Sequence, residues 1–338
     1  MQSKYFNVAG HIFKVCLEGS LSFSELSAEQ RRVALRLGGG EDIGIRPVSA
    51  GDSDTWQNNY RLIQGSGDKP FSFFPYAPFE CAESPSEMTF TMRSGTFAER
   101  ARWTWRFRSL FQGGEVSFFD RGEQVMMVFG RGQTATGRED VFVLDKDFSN
   151  ATYYAVPDKD TFSAMRRVDM ALMQQYLFIS SGAGTLLTHA SAVFYKHGAV
   201  LFCARQGTGK STHSRLWLEH VPGCGLINDD HPVLRRESSG WMVYGSPWSG
   251  KTHCYRNISV PLAAVVYLDR GSTNILEPLD PVLAFAEARN SLRDWTWLQD
   301  VVEHQLDSLA QLTSESPFFR LTCRPDYDAV DKCLAVLD

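Results

Sequence analysis

No apolar run in this 338-residue chain reaches the length a bilayer requires, so no membrane-spanning helix is expected. No Cys-x-x-Cys pair occurs either. The seven cysteines, Cys16, Cys81, Cys203, Cys224, Cys254, Cys323 and Cys333, are scattered and odd in number. That argues against a disulfide scaffold or a zinc knuckle and for a reducing, cytoplasmic setting with buried structural thiols. A basic excess is also missing. Lys and Arg number 34 against 39 Asp and Glu, a formal net charge of −5, so nothing draws the chain as a whole to nucleic acid or to an anionic membrane. Arg100, Arg102, Arg106 and Arg108 cluster locally, but in a strand-like segment where a solvated sheet face explains them. The opening residues "MQSKYFNVAGHIFKV" show no charged-then-apolar signal pattern and no cleavage-like site. Internal repeats and low-complexity tracts are absent.

What remains is an ordinary globular composition, 43% hydrophobic and 22% charged, on a chain long enough for two domains. The first half reads as β-rich. In "RWTWRF" period two sets Trp103, Trp105 and Phe107 against Arg102, Thr104 and Arg106. "EVSFFDRGEQVMMVFG" reads as a hairpin around Asp120-Arg121-Gly122, and "MTFTM" and "VFVLD" as further strands. "FSFFPYAPF" reads as aromatic sheet core, with a stacking platform for bases or sugars as the alternative.

The second half changes character. "TFSAMRRVDMALMQQYLFISSG" carries Met165, Val168, Leu172, Met173, Tyr176 and Leu177 at helical spacing before a glycine-rich break. Strands follow at "LLTHASAVFY" and "GAVLFC", joined by a Lys-His-Gly turn, then at "GLIN", "WMVYG", "AAVVYLD" and "FFRLTC". Residues 283–312 read as largely helical, in one or two pieces, and "PDYDAVDKCLAVL" as a last helix with Pro325 near its start. The expected division is a β-rich domain over 1–160 and an α/β (α+β) domain over 161–338.

Chemistry concentrates in "LFCARQGTGKSTHSRLW", residues 201–217. An apolar strand breaks into Ala204-Arg205-Gln206-Gly207-Thr208-Gly209-Lys210-Ser211-Thr212. This is the Walker A pattern of a P-loop, with Ala204 in place of the first glycine. Gly207 and Gly209 permit backbone conformations that point successive N–H groups at phosphate oxygens. The helix that follows adds its unpaired N–H groups and positive dipole end. Lys210 would reach the β- and γ-phosphates, and the Ser211 hydroxyl, or that of Thr212, would ligate Mg²⁺. The plain alternative is a glycine turn with a surface lysine. Some twenty residues on, "GLINDDHP" ends a short strand at Asp229-Asp230. Adjacent carboxylates point in different directions, so one can hold a metal while the other takes a proton as general base. An acidic turn before Pro232 is the alternative.

Together "HASAVFYKHGAVLFCARQGTGKSTHSRLW", "NDDHP" and "YGSPWSGKT" resemble the catalytic domain of HPr kinase/phosphorylase and its relatives, a fold shared with phosphoenolpyruvate carboxykinase, over about residues 180–270. The helical tail and "FFRLTCRPDYDAV" are also similar to HPr-kinase-like proteins found beside peptide-modification systems. The resemblance implies ATP and Mg²⁺ as cofactors and Gln206, Gly207, Thr208, Gly209, Lys210, Ser211 and Thr212 as nucleotide contacts. It implies Asp229 as catalytic base, Asp230 with Ser211 as metal ligands, and His189 near the γ-phosphate. Lys251, in the second glycine loop "GSPWSGK", would contact a phosphate or an acidic substrate, and Arg256 is a further candidate for transition-state charge. Ala190 stands where HPr kinase has glycine after its histidine, and no counterpart of the HPr-binding loop occurs, so HPr is not the expected acceptor.

The function expected is a kinase acting on a serine-like hydroxyl of a protein, peptide or small molecule, recruited by the β-rich half. A carboxykinase-type enzyme, built on His189, His231 and Asp230, and a non-catalytic nucleotide-binding module are the rivals. Assembly into a homo-oligomer stays open.

Overall fold

The computed structural model describes residues 1–18, 74–94, 104–111, 114–120, 122–129, 140–155, 161–205, 207–250, 254–290, 292 and 298–337. Among these residues strands and helices are mixed, and no helix is long and apolar enough to cross a membrane. They divide into two compact units. The first holds described residues 1–18 and 80–179, the second 74–79 and 180–337. Arg100, Arg102, Trp103, Gln206 and Lys251, and the side chains of Trp105, Arg106, Phe107, Arg108 and Met165, lie outside the described part.

The first unit carries β1 (Gln2–Val8), β2 (His11–Leu17), β3 (Glu80–Cys81), β4 (Met88–Ser94), β5 (Thr104–Phe111), β6 (Gly114–Asp120), β7 (Gln124–Phe129), β8 (Asp140–Asp145) and β9 (Asn150–Ala155). They form one nine-stranded sheet in the order β3-β1-β2-β4-β9-β8-β7-β6-β5. β4 runs parallel to β2 and β9, and the remaining pairs are antiparallel. Ala9 and Gly10, at φ 53° and 81°, make the two-residue turn between β1 and β2. Positive φ at both positions suits the twist of a tight hairpin. The hairpin expected around Asp120 is present as β6 and β7. In β5 the pairing shifts between Trp105 and Phe107, so a bulge interrupts the alternation read in "RWTWRF".

Helix α1 (Thr161–Ser181) follows the expected apolar spacing, with Val168, Leu172, Met173, Tyr176 and Leu177 buried. Two polar side chains tie it to the sheet of its own unit. Gln175 Nε2 donates to the carbonyls of Thr89 (3.1 Å) and Phe148 (2.9 Å), and the Tyr176 hydroxyl to that of Val8 (3.2 Å). Both side chains thus spend polar atoms on main-chain carbonyls of the sheet and its loops.

The second unit carries β10 (Thr185–Leu187), β11 (Ala190–Tyr195), β12 (Gly198–Cys203), α2 (Lys210–His220), β13 (Gly225–Asn228), β14 (Val233–Glu237), β15 (Gly240–Tyr244), β16 (Ser259–Arg270), β17 (Ile275–Pro278), α3 (Pro281–Arg289), α4 (Gln299–Glu315), β18 (Phe318–Cys323) and α5 (Tyr327–Leu337). Its sheet runs β10-β14-β15-β16-β12-β11-β13, with β18 on β16 and β17 on β18. β12, β16 and β18 are parallel. Alternation along β12 and β16 feeds two cores. Leu201, Cys203, Val265 and Tyr267 pack with Ala284 and Ala288 of α3 and Leu309 and Leu312 of α4. Val200, Phe202, Val266 and Leu268 pack with Trp217 of α2 and Ala329, Val330 and Cys333 of α5. Helices therefore cover both faces, which is why these strands read as near-continuous apolar runs.

Of the segment read as aromatic sheet core, residues 71–73 lie outside the described part and residues 74–79 are not sheet. Phe74–Phe79 forms a 3-10 helix of the second unit with Tyr76 and Phe79 buried. Pro75 and Pro78 lack the N–H a ladder needs, and short 3-10 turns accept them. Of the cysteines, Cys16, Cys203, Cys254 and Cys333 are buried. Burial pushes the Cys254 and Cys333 thiols up to about 12.

Candidate active site

β12 ends at Cys203 and the chain turns through the glycine loop into α2. Gly207 and Gly209 hold φ +80° and +125°. A Cβ at Gly207 would meet nothing within 4 Å, so glycine is required there by conformation and not by space. Ala204 is outside the positive-φ region, so a methyl is accommodated where the Walker pattern has glycine. Thr208 N–H closes the turn on the Arg205 carbonyl (3.1 Å). Helix α2 starts at Lys210 on Gly209 with no side-chain cap. Its first N–H groups and the positive end of its dipole thus face the loop.

Lys210, His189 and Asp230 meet beside this helix start. Lys210 Nζ lies 3.3 Å from His189 Nε2 and 3.4 Å from the Ala204 carbonyl. The same Nε2 lies 3.1 Å from Asp230 Oδ1. One ring nitrogen either donates to the carboxylate or accepts from the ammonium, so Lys210 and Asp230 compete for His189. His231 Nε2 is 3.4 Å from Asp230 Oδ2. Burial lowers the Lys210 pKa, opposed by the charges of Asp230, Cys203 and Asp229. Burial also presses the Asp230 pKa upward, but the His189 hydrogen bond and the charges of His231, His189 and Lys210 outweigh it and bring it down to about 2.

Asp229 points the other way and is 4% exposed. Ser211 Oγ donates to its Oδ2 (3.4 Å), and Ser191 Oγ to its Oδ1 (3.3 Å). Ser191 is itself 2.6 Å from Ser214 Oγ, one turn along α2 from Lys210. Ser211 thus meets the first carboxylate of the pair and His189 the second. Thr212 makes no described polar contact with either. Asn228 sets the divergence. Its Oδ1 accepts from the N–H groups of Asp230 (2.9 Å) and His231 (2.8 Å), an Asx turn, while its Nδ2 donates to Ser246 (3.2 Å).

The second glycine loop lies against the same carboxylates. Ser246 Oγ donates to the His231 carbonyl (2.6 Å), and Trp248 Nε1 to the Tyr76 hydroxyl (3.0 Å). A Cβ built on Gly250 would lie 3.1 Å from Asp230 Cβ, so the backbone passes close over the acidic pair. Lys251 and Gln206 lie outside the described residues. Arg256 is 4% exposed, with its guanidinium 6.0 Å above the Phe194 ring and its Nε without a hydrogen-bond partner.

Sequence reasoning missed Asn228, Ser191, Ser214, Ser246, Tyr76 and Trp248. Only Asn228 left a local signal, as the first residue of "NDDHP". The others matter through contacts between segments far apart in the chain.

Among the described residues no three His, Cys, Asp or Glu side chains form a metal-binding group, although His189, Asp230 and His231 lie together. Ser211 and Asp229 offer a hydroxyl and a carboxylate side by side. That set is too small to cage a metal alone but suits Mg²⁺, which keeps waters and takes phosphate oxygens as ligands. No known family model matches the chain, and no curated protein matches it.

Proposed function

We propose that the second unit, as an HPr-kinase-like P-loop domain, binds Mg-ATP and transfers the γ-phosphoryl group to a serine-like hydroxyl of a protein, peptide or small molecule. The observation that carries this reading is the contact between Ser211, at an uncapped helix start behind two positive-φ glycines, and Asp229 at the end of a neighbouring strand. In this reading the loop N–H groups and Lys210 bind the phosphates, Lys210 exchanging His189 Nε2 for a phosphate oxygen. Ser211 and Asp229 would hold Mg²⁺, which would neutralise charge on the phosphate oxygens. Asp230, more open and steadied by His189 and His231, would take the acceptor hydroxyl's proton as its oxygen bonds to phosphorus and the bond to the ADP oxygen breaks. This geometry favours the reverse of the carboxylate roles that the resemblance implies. Gly250 and its loop would wall the acceptor side, and the first unit would recruit the acceptor.

The test is transfer of labelled γ-phosphate from Mg-ATP into a lysate of the source cells, with Lys210→Ala, Asp229→Asn and Asp230→Asn run alongside. The reading expects label on an acceptor with the unsubstituted chain alone. Tight Mg-ATP binding without transfer would replace the kinase with a nucleotide-dependent binding module.

A further inference from the structure

Arg270 belongs to none of the motifs above, yet it touches the glycine loop. Its Nη2 donates to the Gly207 carbonyl (2.6 Å) and its Nε to the Thr208 carbonyl (3.4 Å). The sheet explains the reach. β12 and β16 run parallel with Cys203 beside Tyr267. β12 ends there, but β16 continues to Arg270, alongside the space the loop occupies. The overhang is held from its other edge, since Arg270 pairs with Cys323 of β18 and the Gly271 N–H donates to the Cys323 carbonyl (3.0 Å). The neighbouring acid, Asp269, pairs with Arg320 (3.7 Å). Arg270 is exposed, and an exposed arginine would ordinarily spend its donors on water or a carboxylate. This one spends two on consecutive main-chain carbonyls.

We infer that Arg270 is a positioning residue for the phosphate loop. This rests on the nucleotide-binding reading of that loop. A peptide carbonyl and the next N–H point in opposite directions. Fixing the Gly207 and Thr208 carbonyls on the guanidinium therefore turns the following N–H groups away from it: that of Thr208 closes on the Arg205 carbonyl (3.1 Å), and that of Gly209 is aimed to the side opposite Arg270, as a concave anion nest needs. Gly207 and Gly209 permit that conformation but also permit many others, because glycine loses the most freedom when ordered. Arg270 selects among them from a rigid strand. The planar fork is what suits the task, since a lysine ammonium at the same position is a point charge on a flexible stem.

The experiment is a Mg-ATP titration of the full chain and of Arg270→Ala and Arg270→Lys, with a thermal melt of each, and ethylguanidinium added back to the alanine variant. A second readout is amide hydrogen exchange of residues 207–209 without nucleotide. Both variants are expected to bind about tenfold more weakly, as fits the loss of hydrogen bonds from a charged donor. Ethylguanidinium is expected to restore the alanine variant, and loop exchange to rise in both. Wild-type affinity in Arg270→Lys would mean that charge alone suffices and would overturn the inference, as would unchanged affinity and exchange in Arg270→Ala. If the unsubstituted chain fails to bind Mg-ATP at all, the nucleotide reading fails and this inference falls with it.

Discussion

In the first unit Phe90 packs on Phe142 (5.6 Å between ring centroids) and Tyr153 (6.1 Å), and its described buried polar residues are His11, Gln174 and Gln175. In the second, Ser191, His213, Ser214, Asn228, Asp229, His231 and Ser246 are all buried around one glycine loop and one strand end. Both units build a nine-stranded sheet, so strand number does not account for the difference. Burying polar groups costs free energy unless they find partners, and apolar groups would serve stability better. A concentrated, mutually bonded polar set is therefore what a site leaves behind, whereas the aromatic sheet marks a part built for packing.

The sharpest way to break this comparison is to substitute one residue in each unit. Lys210→Ala should abolish Mg-ATP binding and lower phosphoryl transfer by about 10³-fold or more while the protein keeps its melting temperature. Phe90→Ala, fully buried in the first sheet, should cost about 3–5 kcal/mol of stability in denaturant unfolding. If Lys210→Ala destabilised the chain as Phe90→Ala does, the loop would be structural and the contrast would fail.

Acid should strain the second unit through His213, a buried residue of α2 itself. Trp217 Nε1 donates to its Nε2 (3.2 Å), and burial pushes its pKa from 6.5 down to about 4. The folded value lies below the unfolded one, so the unfolded chain binds the proton first. Stability is then complete above about pH 6.5 and falls as pH drops towards 4, by about 3 kcal/mol in all. Unfolding free energies measured between pH 7 and pH 4 should show this slope, and His213→Phe should flatten it.

Ser191→Ala should weaken Mg-ATP binding by about tenfold, because it frees one oxygen of Asp229, the proposed metal ligand, from its hydrogen bond. Calorimetric titration with and without Mg²⁺ checks this, and unchanged Mg-ATP affinity with slower transfer would assign Ser191 and Asp229 to the chemical step instead. The smallest effect expected is that of Trp248→Phe, which removes the bond to Tyr76 and should cost about 1 kcal/mol in thermal unfolding.

Where the sequence was legible, hydrogen bonds and burial followed local periodicity. The helix at Thr161–Ser181, the hairpin of β11 and β12, the loop into α2 and the two helical pieces after Pro281 all repeat on the scale of a few residues. "FSFFPYAPF" misled because aromatic content says that a segment is buried, not in what, and its two prolines were the neglected signal. Residues 74–79 belong to the second unit although residues 80–179, which follow them directly, belong to the first, and no local pattern carries that. The candidate site was half legible. Lys210, Ser211, Asp229 and Asp230 stand in a motif, but the pairing of Ser211 with Asp229 and of His189 with Asp230 is set by a β11–β13 register that shifts by one residue at Ala192 and Val193. A register shift of that kind depends on both strands at once.

The central claim, that residues 204–212 with the Asp229-Asp230 pair form a magnesium–nucleotide site, is tested most directly by calorimetric titration of ATP with and without Mg²⁺. The account predicts saturable binding that is tighter with the metal, loses that metal dependence in Asp229→Asn, and vanishes in Lys210→Ala. Absence of binding by the unsubstituted chain, or binding that Lys210→Ala leaves unchanged, would contradict it.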